Sequence, residues 1–381
     1  MRTSIYTNNI RNNSMAEKVV PLFRLNNKHA AVGFHALLDE LLESEYWAFG
    51  PKTAEFEETF CEHFGHKHAI ACANGTAAIQ LVLAAYYAQE VFIADTTFVG
   101  VWNAVQNVRG MKHVRVVRAP DRYTWDVTTK DWLEALKKPS CKPRIVIVTH
   151  LYGSRSDVDI AALKALGDVI VIEDMSQCHG LSHSPFSDAQ IYSMYPTKNV
   201  GALGEAGVIT TDNPRLAETL KSNSFYGYYD KKTKVRAVGS NYKMDELQAA
   251  FVTYKLKIGM IRDELANRRV LAARYNAVLP DSQRGSAKMI RKAVFSDDAT
   301  YHLYPVWARD RKAFRDFLNE FGIQTGCHYP DSIIKMISDL GLQWNTSGWN
   351  SHVVTLPIGG YHTLEEIDRV CEVIKDYENN Y

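Results

Sequence analysis

The chain has 381 residues, of which 46% are apolar and 23% charged, and its formal net charge is +1. This length allows a large core and usually more than one domain, and the composition is that of an ordinary soluble globular protein. The small net charge, and the lack of a basic run mixed with aromatic residues, argue against nucleic acid or an acidic membrane surface as a partner.

The cysteines and the N-terminal residues exclude several classes of protein. Six cysteines are spread along the chain without a CxxC pair, which argues against a zinc site and a disulfide framework. No apolar run is long enough to span a bilayer, and the N-terminal residues lack the apolar centre of a secretion signal. We expect a cytoplasmic protein with no bound metal and no membrane partner, in which residues 1–18 form a flexible tail.

Strand and helix patterns alternate along the first two thirds of the sequence. Helical spacing runs through residues 30–44 and 53–65. Short apolar runs typical of buried strands cover residues 68–73, 91–95, 144–153, 169–174, 189–194 and 207–212. Helical patterns lie between them at residues 77–88, 96–108 and 157–166, the last with Asp157 near its start. This alternation predicts an α/β fold, a mostly parallel sheet with helices on both faces.

The pattern changes at about residue 255. A long helical stretch follows, and the pattern leaves open an interruption near Gly259. A strand is predicted at residues 300–308, and helices at residues 310–322 and 364–379. We therefore predict a large α/β domain over residues 19–255 and a smaller C-terminal α+β domain over residues 256–381.

Polar residues follow several of the apolar runs. Ligands of open parallel sheets bind outside the carboxyl ends of the strands, so these positions are candidate site residues. Asn74, Gly75 and Thr76 lie between a strand and a helix, where free backbone N–H groups and the threonine hydroxyl could bind a phosphate. Taken alone, this segment is better explained as an ordinary helix cap.

Asp174 and Lys198 are the candidate catalytic residues. Asp174 ends the run VIVIED, and a buried carboxylate there needs a cationic partner such as a protonated pyridine nitrogen, although it could also cap the next turn. Lys198 lies in the loop YPTKNVGALGEAG, and its amine becomes a nucleophile only if burial or nearby charge lowers its pKa. A solvated loop lysine is the simpler explanation. The glycine spacing of this loop is neither a dinucleotide fingerprint nor a P-loop.

Together these segments resemble the sugar aminotransferases of fold type I in the DegT/DnrJ/EryC1/StrS family, which make amino sugars for surface polysaccharides and antibiotics. The resemblance extends from about residue 49 to about residue 363. It rests on the segments WAFGPKTAEFEETFCEHFGHKHAIACANGTAA, TTFVGVWNAV, HLYGSRSDVD, VIEDMSQCHG, YPTKNVGALGEAGVITTD, GSNYKMDELQAA, TGCHYP and LPIGGYHT. It implies an enzyme that uses pyridoxal phosphate.

The resemblance implies roles around the cofactor ring. Lys198 would hold pyridoxal phosphate covalently and, once displaced, move the proton between the substrate carbon and the cofactor carbon. Asp174 would pair with the protonated ring nitrogen, which keeps the ring an effective electron sink. Gln177 would lie beside the ring oxygen. Phe98 would stack on the ring face, although without the resemblance it would be taken for a core phenylalanine.

The resemblance also implies the phosphate site. Gly75 and Thr76 at the helix start would bind the phosphate together with Ser193. Asn241 would reach the phosphate from the neighbouring subunit, which implies a homodimer with both sites at the interface. The simpler explanation of Asn241 is a helix cap ahead of MDELQAAF, and both roles could hold together.

The substrate is expected to be a keto sugar carried by a nucleotide, with L-glutamate as the amino donor. The NG before the helix and the segments YPTKNVGALGEAG, SFYGYY and LPIG are most similar to enzymes acting on dTDP-linked 3-keto-6-deoxy sugars, although NGT as a whole is partly mixed between the two branches. A 4-keto-6-deoxy sugar of dTDP, UDP or GDP is the alternative. His150, Tyr152 and His328 are candidate sugar contacts, although each histidine alone is more simply structural.

The sequence departs from the family pattern at two places. Ala206 stands where relatives commonly have glycine, and Arg115 and Arg118 stand where members usually show an acidic strand end.

Three other functions compete with that of a sugar aminotransferase. The 3-dehydratases of this fold replace the lysine with histidine, so Lys198 argues against them. A non-catalytic binding protein would be expected to have lost Lys198 or Asp174. An enzyme acting on amino acids would require an arginine for the substrate carboxylate, which the sequence leaves open.

Overall fold

The computed structural model describes residues 19–24, 28–120, 123–137, 142–230, 234–280, 288–338 and 348–380. The predicted tail over residues 1–18 lies outside these ranges. In the parts of the chain that are described, no helix is both long enough and apolar enough to cross a membrane. The same residues contain no group of three or more His, Cys, Asp or Glu that could hold a metal ion.

A seven-stranded sheet forms the centre of the structure, and its order is β1-β7-β6-β5-β4-β2-β3. Only β7 runs antiparallel to its neighbours, so the predicted mostly parallel sheet is confirmed. The strands are β1 His68–Cys72, β2 Glu90–Ala94, β3 His113–Val117, β4 Arg144–Thr149, β5 Val169–Asp174, β6 Ala189–Ser193 and β7 Gly207–Thr211.

Helices cover both faces of this sheet. Along β2, Val91 and Ile93 pack in one hydrophobic core, whereas Phe92 and Ala94 pack in another on the opposite face. Burial on both faces explains why the strands are continuous apolar runs. The helices are α1 Lys28–Ser44, α2 Pro51–Phe64, α3 Gly75–Ala85, α4 Val99–Gln106, α5 Thr129–Ala135, α6 Ile160–Lys164, α7 Pro214–Asn223 and α8 Glu246–Lys257.

Local capping chemistry sets the helix boundaries. Helix α2 begins at Pro51 and ends before Gly65, whose φ of 74° closes the helix in the left-handed conformation. Helix α6 begins at Ile160 because Asp159 accepts a hydrogen bond from the amide of Ala162. The helix therefore starts after Asp157, later than the sequence pattern predicted.

The C-terminal part contains a second, smaller sheet. Helix α9 is separated from α8 at Gly259, whose φ is 77°, so the interruption left open by the sequence is present. Val20 pairs with Ile323, which places this N-terminal segment against the C-terminal residues. The elements are the hairpin β8 Tyr228–Asp230 and β9 Lys234–Val235, then α9 Met260–Val278, β10 Ile290–Lys292, β11 Tyr304–Ala308, α10 Arg311–Glu320, α11 Ile333–Ser338, α12 Gly348–His352, β12 Val353–Leu356 and α13 Leu364–Asn380. Strands β10, β11 and β12 form the antiparallel second sheet.

Candidate active site

A cavity of about 840 Å³ opens at the carboxyl ends of β1, β4, β5 and β6. Residues from distant parts of the chain meet there, because parallel strands end at the same edge of the sheet. Ten of the eleven residues predicted from the sequence line this cavity: Gly75, Thr76, Phe98, His150, Asp174, Gln177, Ser193, Lys198, Asn241 and His328.

The start of helix α3 forms an anion site in the cavity wall. Asn74 caps the helix by accepting a hydrogen bond from the amide of Ala77 at 2.9 Å. The amides of Gly75 and Thr76 precede the first internal helix bond, so they are available to a ligand. The helix cap and the phosphate site are thus compatible, since the cap uses Asn74 and leaves the next two amides for the anion.

Ser176 and Ser193 flank this helix start. A Cβ on Gly75 would lie 2.9 Å from the Cβ of Ser193 and 3.3 Å from Oγ of Ser176, so only glycine allows this close approach. The amide of Ser193 donates to Oγ of Ser176 at 3.1 Å. Ser176 follows Asp174 by two residues, and the sequence reasoning missed it because nothing local links it to Ser193.

Lys198 lies in the wall of the cavity, in the loop between β6 and β7. Burial lowers the pKa of Lys198 to about 8, although the nearby carboxylate of Asp174 acts in the opposite direction. A larger fraction of neutral amine is therefore present near pH 8 than for a solvated lysine. Gln248 holds the loop by accepting hydrogen bonds from the amides of Leu203 and Gly204 at 2.9 and 3.0 Å.

Asp174 provides a buried negative charge at the end of β5. The residue is 6% exposed, and Oδ1 accepts a hydrogen bond from the amide of Ser176 at 3.1 Å. Among the described residues, no cationic group forms a salt bridge with this carboxylate. The Lys198 amine lies near enough to interact with this charge but forms no salt bridge with it. A protonated ring nitrogen would supply a direct partner. The donor set of the cavity therefore fits pyridoxal phosphate.

Phe98 and Gln177 complete the surroundings of a ring-shaped ligand. Phe98 is 49% exposed and lines the cavity, so it is not a core phenylalanine. Gln177 accepts a hydrogen bond from the amide of Tyr152 at 2.7 Å and donates to the hydroxyl of Tyr329 at 2.9 Å. These two bonds fix the orientation of the Gln177 amide. Tyr329 also lines the cavity and was missed as a site residue, although it lies in the segment TGCHYP.

The three predicted sugar contacts occupy different positions. His150 lines the cavity, but Ser156 donates to its Nδ1 at 2.9 Å and its Nε2 donates to Glu173 at 3.0 Å, so both ring nitrogens have protein partners. Tyr152 is fully buried behind the wall, where its hydroxyl donates to the carbonyl of His328. The structure thus gives Tyr152 no contact with the cavity.

His328 and His302 form the wall on the side of the second sheet. The Nδ1 atom of His328 lies 3.0 Å from the hydroxyl of Thr355. Burial, together with the charge of Lys198, lowers the pKa of His328 to about 4. His302 also lines the cavity, and its Nδ1 lies 3.2 Å from Oδ1 of Asn199. The sequence reasoning did not select His302, because no pattern in the segment TYHLYPVWA relates it to the loop of Lys198.

Asn241 lines the cavity of its own chain. The adjacent carbonyl of Tyr242 accepts a hydrogen bond from the amide of Ala73 at 2.8 Å, which fastens this segment beside β1. Helix α8 is capped by Asp245, which accepts from the amide of Gln248 at 2.8 Å. The alternative explanation of Asn241 as a helix cap is therefore wrong. Its predicted reach into a neighbouring subunit remains a prediction.

The two arginines that depart from the family pattern lie at the edge of the large sheet. Arg115 forms a salt bridge with Glu90 at 3.0 Å, and Arg118 lies 3.9 Å from Asp95. Neither lines the cavity, so neither is placed to contact a ligand there. Among the described residues no arginine lines the cavity.

Comparison with known proteins agrees with this geometry. Residues 25–375 match the DegT/DnrJ/EryC1/StrS aminotransferase family. The dTDP-3-amino-3,6-dideoxy-alpha-D-galactopyranose transaminase of Aneurinibacillus thermoaerophilus is 32% identical, over 89% of this chain and 94% of that protein. The 3-oxo-glucose-6-phosphate:glutamate aminotransferase of Bacillus subtilis is 32% identical, over 96% of this chain and 85% of that protein. A crystal structure of NtdA from Bacillus subtilis with bound cofactor PMP has a TM-score of 0.84 and 29% identity. The match covers 98% of this chain and 88% of that structure. The chain belongs to the DegT/DnrJ/EryC1/StrS aminotransferase family and is an aminotransferase dependent on pyridoxal phosphate.

Proposed function

We propose that this enzyme transfers an amino group from L-glutamate to the C3 keto carbon of a dTDP-linked 6-deoxy sugar. The observation that carries the proposal is the meeting of Lys198, the buried carboxylate of Asp174 and the start of helix α3 in one cavity. The names of the two relatives described above supply the substrate class, since one is a dTDP-3-amino sugar transaminase and the other a 3-oxo sugar aminotransferase that uses glutamate.

The residues of this chain would have separate roles in binding the cofactor and moving a proton. When bound, pyridoxal phosphate supplies a conjugated ring that accepts electrons from the substrate carbon. The amides of Gly75 and Thr76, with the hydroxyl of Ser193, bind the phosphate. The carboxylate of Asp174 keeps a proton on the ring nitrogen by pairing with it. Lys198 holds the cofactor through Nζ and, once released, carries a proton at that atom.

The remaining residues orient the ring. Phe98 presents its exposed face to the cavity, which favours offset stacking. The amide of Gln177 is fixed at both ends, by Tyr152 and Tyr329, in an orientation that would suit a contact with the ring oxygen. Preorganised groups of this kind lower the barrier because they need no rearrangement during the reaction.

The proposal includes a homodimer in the cytoplasm. Exposed aromatic side chains occur on the loop before α2, where Trp47 is 60% and Phe49 39% exposed, and the ring of Phe49 stacks on that of Phe225 near the β8–β9 hairpin at 5.1 Å. An exposed apolar patch of this kind is typical of a surface that binds another protein. Asn241 follows this hairpin in the chain, and a second copy that covers the patch would bring additional residues to the cavity.

A substrate panel tests the proposal. The purified enzyme is given glutamate and, in separate reactions, 3-keto and 4-keto 6-deoxy sugars of dTDP, with UDP and GDP sugars and a 3-keto sugar 6-phosphate for comparison. We expect amination of the dTDP 3-keto sugar at the highest kcat/KM. Higher kcat/KM for a 4-keto sugar would overturn the C3 assignment, and preference for the sugar phosphate would overturn the nucleotide.

Two controls test the assignment of Lys198. Reduction with borohydride is expected to fix the cofactor on the peptide that contains Lys198. The variant Lys198→Ala is expected to lose turnover with every sugar in the panel. Full turnover by this variant would show that another residue carries the chemistry.

A further inference from the structure

A second buried lysine, which the proposed function does not use, contacts the loop that carries Lys198. Lys255 lies on helix α8 and is 4% exposed. Its Nζ donates a hydrogen bond to the carbonyl of Gly201 at 2.9 Å. Burial lowers the pKa of Lys255; the charge of Glu264 acts in the opposite direction, but Glu264 forms its salt bridge with Arg268. Burying an amine is unfavourable, so the bond to Gly201 is the interaction that favours a lysine at this position.

Gly201 packs directly against the backbone around Lys198. A Cβ on Gly201 would lie 2.4 Å from the carbonyl oxygen of Pro196 and 3.2 Å from that of Lys198. The chain therefore folds back on itself so tightly that only glycine fits. The next residue, Ala202, donates its amide to the carbonyl of Met194 at 2.8 Å. A hydrogen bond that holds the carbonyl of Gly201 thus also holds the backbone that carries Lys198.

Helix α8 makes a second contact with this loop. Gln248 accepts hydrogen bonds from the amides of Leu203 and Gly204. Gln248 and Lys255 are separated by about two helical turns, so both lie on the same side of the helix. One accepts hydrogen bonds from the loop and the other donates one to it. The loop is therefore fixed at two points by a single helix.

We propose that Lys255 and Gln248 hold residues 201–204 against helix α8 and thereby set the position of Nζ of Lys198 in the cavity. The inference rests on the proposed role of Lys198. Neither Lys255 nor Gln248 lines the cavity, so both are positioning residues that act through the loop. A reacting atom that is misplaced by about 1 Å can slow a reaction about 100-fold, so the position of this amine matters for the rate.

The rate at which Lys198 attaches the cofactor measures the position of its amine. The full-length chain is freed of cofactor and mixed with saturating pyridoxal phosphate, and attachment is followed by absorbance. Nζ forms a C=N bond with the aldehyde carbon, and the aldehyde oxygen leaves as water. Pyridoxamine phosphate has the same ring and phosphate but no aldehyde. Its Kd therefore reports on the rest of the cavity without the bond to Lys198.

Lys255→Met removes the donor and keeps a long unbranched side chain. We expect attachment to be about tenfold slower, while the Kd for pyridoxamine phosphate stays within about twofold of the wild type. Lys255→Arg keeps a donor, so its rate should stay within about threefold of the wild type. Lys257→Met is the matched control, because Lys257 is an exposed lysine on the same helix and pairs with Glu55; its rate should not change.

Three results would overturn the inference. The first is an unchanged attachment rate in Lys255→Met. The second is an equal loss of rate in Lys255→Met and Lys255→Arg, since packing rather than the donor would then matter. The third is a rise in the Kd for pyridoxamine phosphate as large as the loss of rate, because general damage to the cavity would then explain both.

Gln248→Ala tests the second contact independently. We expect the same separation, with slower attachment and an unchanged Kd for pyridoxamine phosphate. A wild-type attachment rate in Gln248→Ala contradicts the inference even if Lys255→Met does not fold. The attachment reaction involves no sugar, so failure of the substrate panel leaves this result untouched. Borohydride labelling of a residue other than Lys198 would instead overturn the proposed function.

Discussion

Gly75 and Ser193 approach each other so closely that any larger residue at position 75 would collide with the serine. A Cβ on Gly75 would lie 2.9 Å from the Cβ and 3.4 Å from the Cα of Ser193. One residue begins helix α3 and the other ends β6, so the contact closes the phosphate site between two elements that are distant in sequence.

Gly75→Ala is therefore expected to weaken cofactor binding. The added methyl group must displace either Ser193 or the helix start, and both are proposed phosphate ligands. We expect the Kd for pyridoxal phosphate to rise about tenfold or more, which corresponds to about 1.4 kcal/mol. Fluorescence titration of the cofactor-free enzyme measures this. Gly204→Ala is the matched control, because a Cβ there would meet only Gln248, at an ordinary 3.6 Å; equal losses in both variants would refute the steric argument.

Asp174→Asn is expected to reduce amination by at least about 100-fold, because a neutral amide cannot stabilise the protonated ring nitrogen. The substitution preserves shape, and an amide oxygen can still accept from the amide of Ser176. Single-turnover absorbance with glutamate measures the loss. Asp95→Asn serves as the control, since Asp95 is also buried and directly follows a strand of the same sheet, but does not line the cavity. A full rate in Asp174→Asn would remove Asp174 from the proposed mechanism.

Glu246→Ala is expected to destabilise the fold. The buried carboxylate of Glu246 accepts hydrogen bonds from the amides of Gly50, Lys52 and Thr53 at 2.9, 2.7 and 3.1 Å, at the start of helix α2. Removing it leaves several donors without a partner, so we expect a loss of about 3 kcal/mol in the free energy of unfolding. Urea denaturation followed by circular dichroism tests this. Glu58→Ala, on the exposed face of the same helix, should change stability by less than about 0.5 kcal/mol.

His150→Ala is expected to lower the free energy of unfolding, because His150 is the main partner of a buried carboxylate. Burial by itself would raise the pKa of Glu173, but the hydrogen bonds from His150, Ser187 and Ser184 outweigh it and leave that pKa below its usual value. Without His150 a buried carboxylate loses its main partner, at a cost of about 3 kcal/mol.

The stability lost in His150→Ala should depend on pH, because folding lowers the pKa of Glu173. A carboxyl group whose pKa is lowered by folding contributes stability above its unfolded pKa, and this contribution is lost as the pH falls through the folded value. The difference in unfolding free energy between wild type and His150→Ala should thus be largest near neutral pH and shrink in acid. His113→Ala, at an exposed position of β3, is the control. A difference that grows in acid would contradict the assignment.

Much of the fold could be predicted because its signals are local. The apolar runs of β4 and β5 are buried on both faces, so their burial is visible in the sequence as unbroken hydrophobicity. The residues that follow such runs must meet at one edge of a parallel sheet, which is why the sequence pattern offered Asp174 and Gly75 as candidates, although only the resemblance to a family gave them roles in binding a cofactor. The break at Gly259 was visible for a similar reason, since glycine adopts the left-handed conformation readily.

The tertiary structure decided what no local pattern encodes. Tyr152 and Tyr329 are both tyrosines near family motifs, yet packing places the first behind the cavity wall and the second on it. Ser176 and His302 became site residues only through contacts with Ser193 and Asn199. The sequence by itself therefore determined the strand ends at which the cavity lies, because periodicity and burial are properties of short segments. Only the three-dimensional packing decided which side chains line the cavity, because each such contact joins segments that are far apart in the chain.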